Sequence, residues 1–189
     1  GNLLEVLYED IAERMVGDID FIVSKDNYSK TIEVLTANKY KTVSKLKYFP
    51  PSFKHHPRLK KRDGIGAVEI HKELLIEKYA LEFHYDIIHE KVQKINDVNV
   101  LGFDDQLALS IIAKQINDDG LHYKDMALRN GYDVFLLSKK VNAKHVISKF
   151  KNLRNPLSCF LASCYITFGN IDSLAYESTK KNQSICSYF

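Results

Sequence analysis

Two carboxylates set two residues apart open the apolar run Gly17-Asp18-Ile19-Asp20-Phe21-Ile22-Val23. The β-branched and aromatic content predicts a short strand. Alternation then puts Asp18, Asp20 and Ile22 on one face, with Ile19, Phe21 and Val23 on the other. Same-face neighbours stand roughly 6.5 Å apart at Cα, from a rise of ~3.3 Å per residue. Ionised carboxylates side by side repel, and burying them without a partner is costly. They can instead converge on one hard divalent cation, or on two cations ~3.5–4 Å apart. Cations of that type point to phosphate chemistry. The plain alternative is a solvated strand start, with Asp18 capping a turn.

Other elements must position this pair. Ala67 to His71 predicts a second strand, with Val68 and Ile70 on one side and Glu69 and His71 on the other. Glu69 is a candidate third ligand or an exposed edge residue; His71 shares its face and can support a ligand or simply lie on the surface. Upstream, Leu3 to Met15 has helical apolar spacing, with Arg14 near its end and Gly17 marking the stop. Arg14 suits a phosphate, or closes the helix end by packing and by bonding carbonyls. Asp26 is placed to cap a second helix carrying Tyr28, Ile32 and Leu35 on one face.

Tyr40 to Tyr48 looks like an edge strand, and Phe49 to Gly66 like a loop or mobile insertion. That loop carries Lys54, His55, His56, Arg58, Lys60, Lys61 and Arg62, which could steer an anionic substrate or simply be solvated. His55-His56 lacks the spacing of a zinc site.

The rest of the chain turns helical. Asn96-Asp97 between two short alternating runs predicts a hairpin within Val92 to Leu101. Helices are predicted over Phe103–Ile116, capped by Asp104 or Asp105, then over Met126–Ser138, Ala143–Phe150 and Leu157–Phe168. His122 to Asp125 precede one of these, as a capping segment or as a cleft lining that includes Lys124. Cys159, Cys164 and Phe168 look like core, and the polar tail from Ser173 is expected to fray. The expected organisation is an α/β (α+β) core over residues 1–100, a small mixed sheet flanked by helices, and a helical region over 101–189.

Bulk composition narrows the field. The 189 residues are 45% hydrophobic and 27% charged, an ordinary globular balance. A net charge of +3, from 27 Lys+Arg against 24 Asp+Glu, is too mild to indicate a dedicated nucleic-acid binder, although a nucleic-acid partner stays open. The three cysteines form neither a disulfide framework nor a zinc pattern, which suits a reducing cytoplasm. Nothing in the sequence predicts a membrane partner.

Taken in order, Gly1 at a helix start, Leu7-Tyr8, Arg14, Gly17-Asp18-Ile19-Asp20, His55-His56-Pro57 and Val68-Glu69-Ile70-His71 resemble the nucleotidyltransferase superfamily, the polymerase-beta-like fold. Within it the chain looks most like a bacterial group of uncharacterised nucleotidyltransferases. The resemblance spans roughly residues 1–140. It implies that Asp18, Asp20 and Glu69 hold Mg²⁺, two ions in such enzymes, with Mn²⁺ as the alternative. Asp18 and Asp20 would hold the metal on the triphosphate, while Asp20 and Glu69 orient and deprotonate the acceptor. It also implies an NTP substrate such as ATP, with Gly1, Asn2, Arg14 and Gly17 on the nucleotide side and His55, His56, Arg58, His71 and Lys124 as substrate contacts. The family's usual Gly-Ser phosphate element can here only be Gly1-Asn2, and its frequent aromatic after the strand histidine is here Lys72.

Acceptors in the superfamily are small molecules, RNA ends and proteins; the residues select none. Two rivals remain: a non-catalytic nucleotide-binding or scaffold module on a degenerate fold, and a phosphodiester-cleaving metalloenzyme.

Overall fold

The computed structural model describes residues 4–15, 17–43, 54–64 and 66–187. The fold is mixed α/β, as expected. The chain divides into two compact units, Gly1–Glu90 and Lys91–Phe189. Among the described residues, no helix is long and apolar enough to cross a membrane.

The first unit is built on a four-stranded sheet of order β1-β4-β3-β2, with β1 Ile19–Ile22, β2 Lys41–Thr42, β3 Leu59–Lys60 and β4 Val68–His71. β1 and β4 run parallel, pairing Ile19 with Val68, Asp20 with Glu69, Phe21 with Ile70 and Ile22 with His71. The other two pairings are antiparallel. Alternation sorts the faces. Leu59, Val68 and Ile70 are buried, and Phe21, Val23, Tyr28, Ile32, Leu35 and Tyr40 pack against them. Three of those, Tyr28, Ile32 and Leu35, come from helix α2, Lys25–Ala37. Lys72 lies with its Nζ 5.7 Å from the centre of the Tyr28 ring, a cation–π contact.

Several expectations change. The helix predicted over Leu3–Met15 becomes a short α1, Leu4–Leu7, and a 3₁₀ turn at Ile11–Glu13. The Asp10 carboxylate accepts a hydrogen bond from the Ala12 N–H at 2.8 Å, so a fresh turn starts where a continuous helix would have run. α2 begins after Ser24, which puts Asp26 inside its first turn rather than at the cap.

Part of the predicted loop is strand. Leu59–Lys60 forms β3, and His55 makes an isolated antiparallel bridge to His71. Of the predicted Tyr40–Tyr48 strand, Lys41–Thr42 is extended at the sheet edge, and residues 44–48 lie outside the described residues.

The second unit begins with the predicted hairpin, β5 Gln93–Ile95 and β6 Val98–Val100. Asn96 and Asp97 both take positive φ, 49° and 61°, as a two-residue turn matching strand twist demands. Helices follow as α4 Phe103–Ile112, α5 Gly120–Tyr123, α6 Leu128–Ser138, α7 Ala143–Ser148, α8 Arg154–Phe168 and α9 Lys180–Cys186. α4 is capped by Gly102, with Asp104 and Asp105 in its first turn, and it continues as a π-helical turn, Ala113–Asn117. Leu107, Ile111, Val134, Leu137, Leu157, Phe160 and Leu161 are among its fully buried side chains.

Cys159 and Cys164 are buried, as expected of core residues, and form no disulfide with one another. Burial pushes the Cys164 thiol up to about 12. The tail is more ordered than its polarity suggests. α9 packs on α8. The wholly buried Asn182 accepts from the Thr179 N–H at 2.7 Å and donates to Ser158 Oγ at 3.2 Å.

Candidate functional site

The polar side of the β1–β4 pair gathers six ionisable residues, Asp18, Asp20, His55, Arg58, Glu69 and His71. Parallel pairing in register sets Asp20 beside Glu69, and the period of two brings His71 onto the same side as Glu69. His71 Nε2 lies 3.3 Å from Asp20 Oδ1 and 3.8 Å from Glu69 Oε2. One ligand atom from each of Asp20, Glu69 and His71 falls within 4.8 Å of the others. Two carboxylate oxygens and an imidazole nitrogen so close together are a donor set that fits a divalent cation.

Asp18 lies in the bend just before β1, not in the strand itself. Its Oδ2 is 2.8 Å from Arg58 Nε, and the same nitrogen is 2.6 Å from Glu69 Oε1. Hydrogen bonding to Glu69, with the charges of Glu69 and Asp18 adding to it, raises the Arg58 guanidinium above its usual range. Glu69 is therefore divided. Oε1 meets the guanidinium, while Oε2 faces His71 and, at 3.8 Å, His55 Nδ1. The two histidine rings lie 5.1 Å apart between centres.

His55 and His56 are held beside β4. The His56 N–H donates to the Ile70 carbonyl at 2.7 Å, and the Lys72 N–H donates to Lys54 at 2.9 Å. Burial lowers the His56 imidazole, and its neighbour His55 lowers it further.

A family model described as uncharacterised nucleotidyltransferase matches residues 1–168. The chain belongs to this family. Nothing matches among curated proteins or among solved structures. In this nucleotidyltransferase the general kind of reaction is the family's, nucleotidyl transfer, and a divalent cation is the usual companion of such chemistry.

The remaining candidates are scattered. Gly1 and Asn2 lie outside the described residues. Arg14 donates from Nη1 to the Met15 carbonyl at 2.6 Å and closes the 3₁₀ turn through its own N–H. Gly17 precedes Asp18 with open space where a Cβ would stand. Lys124 belongs to the second unit and ends α5 in the left-handed region, at φ 54°. Sequence reasoning took Arg58 for a substrate contact and missed its role as partner of Asp18 and Glu69. The signal was present as a lone arginine just before a Leu-Lys pair able to join the sheet, but the pairing is long-range and no local pattern announces it.

Proposed function

We propose that this chain transfers a nucleoside monophosphate from an NTP to an acceptor hydroxyl or phosphate and releases pyrophosphate. The observation that carries the reading is the in-register pairing of Asp20 with Glu69, with His71 converging on both. In the transfer, an acceptor oxygen forms a bond to the α-phosphorus, and the bond from that phosphorus to the bridging oxygen of the β-phosphate breaks. Asp20 and Glu69, with His71 converging on them, would hold the divalent cation, Mg²⁺ or Mn²⁺, and Asp18 stands next to this set against Arg58. When bound, that cation supplies charge neutralisation for the triphosphate and its leaving group.

The protein's own groups do the rest. Asp20 and Glu69 orient the acceptor, and a carboxylate oxygen takes its proton. His71 Nε2, 3.3 Å from Asp20 Oδ1, faces the same position as the two carboxylates. The histidines and Arg58 keep positive or polar character next to the phosphates.

Calorimetry of NTP binding with and without Mg²⁺, on wild type and on the Asp18→Asn/Asp20→Asn double variant, tests this. Binding that requires both Mg²⁺ and the aspartates is the expected result. A folded wild type, with its full N-terminal segment, that binds none of the four NTPs sinks the transferase reading in favour of a non-catalytic module.

A further inference from the structure

The placement of Arg58 bears on how many cations this site takes. Its Nε lies between Asp18 Oδ2 and Glu69 Oε1, at 2.8 and 2.6 Å. Those oxygens are two of the three carboxylate groups from which a second metal position would be made. A guanidinium stays charged at any ordinary pH and uses up the acceptor lone pairs it meets. A divalent ion in the same place would stand against a full positive charge at contact distance.

The backbone around Arg58 is also fixed. The Val43 N–H donates to the Arg58 carbonyl at 2.9 Å, and the next residue, Leu59, pairs with Val68 of β4. Two residues earlier, His56 donates to Ile70. The arginine is thus tied to the sheet on both sides rather than borne on a loop tip.

We infer that Arg58 is the built-in second cation of the site, so that the protein itself binds one divalent ion, at Asp20, Glu69 and His71, and not two. The inference rests on the reading of the site as a metal-dependent transferase. It gives Asp18 a separate task, holding the guanidinium rather than the ion. It also gives the triphosphate a fixed positive charge that does not depend on metal concentration.

The test counts Mn²⁺ on the nucleotide-free full chain by electron paramagnetic resonance, which reads the free ion directly. Wild type is expected to bind one Mn²⁺. Arg58→Gln, which removes the charge from a largely exposed side chain, is expected to bind two, and Arg58→Lys is expected to remain at one. Asp18→Asn is expected to keep the wild-type ion with less than a tenfold change in affinity. Two ions on wild type overturn the inference while leaving the transferase reading intact, as does a single ion on a folded Arg58→Gln. Loss of the ion in Asp18→Asn overturns it as well, and this variant serves even if Arg58→Gln fails to fold. No ion on wild type overturns the inference, and the transferase reading is then decided by NTP binding in the presence of Mg²⁺.

Discussion

The two units spend their apolar residues differently. In the first, among the described residues, Leu59, Val68 and Ile70 are buried on one side of the sheet with side chains of α2 against them. Its other side keeps Glu69 and His71 partly accessible beside an exposed Asp20. In the second, helices turn apolar faces inward from several directions, and α4, α6 and α8 each contribute wholly buried residues. Acidic groups follow the same division. Those of the sheet converge on one another and on Arg58 and His71. Several of those of the helical unit pair with single bases, as in Lys149 with Asp104, Lys114 with Asp125 and Arg154 with Glu177. A sheet that buries residues on one face can lend the charged residues of its other face to ligands.

Truncating the small core of the sheet is the strongest way to test that contrast. Ile70 has no exposed surface and pairs with Phe21 across β1 and β4. Ile70→Ala is expected to cost about 3 kcal/mol, from lost transfer energy plus the cavity left behind. Urea unfolding followed by hydrogen exchange would show the loss in β1, β4 and α2. A change below about 1 kcal/mol would mean that this side of the sheet is not the core it looks to be.

The opposite side should respond in the opposite way. Glu69→Gln leaves every apolar contact in place and removes one charge from a crowded acidic set. Stability is expected to stay within about 1 kcal/mol of wild type, since a partly exposed ion pair is worth little and carboxylate repulsion is relieved. Turnover is expected to fall on the order of a hundredfold or more, because even groups that only support a metal ligand cost roughly 10–100-fold when removed. A Glu69→Gln enzyme that keeps its rate and loses its fold would reverse the assignment of the two faces.

How much of this was legible in the sequence depended on the range of the forces involved. Val68 to His71 announces its two faces by alternation, and α2 announces its buried face by spacing, because both patterns are local. Asn96-Asp97 announces its turn because both residues tolerate positive φ. The hydrogen bonds of β3 were not legible. Leu59-Lys60 is two residues long and is strand only because β4 and β2 lie on either side. The Arg58 contacts to Asp18 and Glu69 depend on that same placement, so they stayed hidden with it. Helix ends were misjudged where a side chain competed with the backbone, as Asp10 does, or where an aspartate lay one turn inside the true cap, as with Asp26, Asp104 and Asp105. The tail from Ser173 reads as polar, yet Asn182 is buried there because its amide is bonded on both sides, which composition does not reveal.

Asp105 sharpens the comparison at its weakest point, since it is a buried acid of the helical unit. The residue is buried in the first turn of α4, and its Oδ2 has no hydrogen-bond partner among the described residues. Burial raises its carboxyl above the ordinary value of 3.8. Lys91 opposes that rise, Asp104 adds to it, and Lys149 opposes it again. An acid whose folded value is raised holds its proton in the native state at pH values where the unfolded chain has released it. Stability from this group is therefore greatest on the acid side, declines as pH rises from the unfolded value through the folded one, and is level above both. Asp105→Asn carries no such titration. Measured by urea unfolding from about pH 4 to pH 7, a window that begins near the ordinary carboxylate range, the variant should gain on wild type as pH rises, and the difference should then stay constant. Titrations common to both proteins cancel in that difference. A difference that stays flat across the range would mean that burial does not raise the Asp105 carboxyl, and the contrast between the units would then lie in their apolar cores alone.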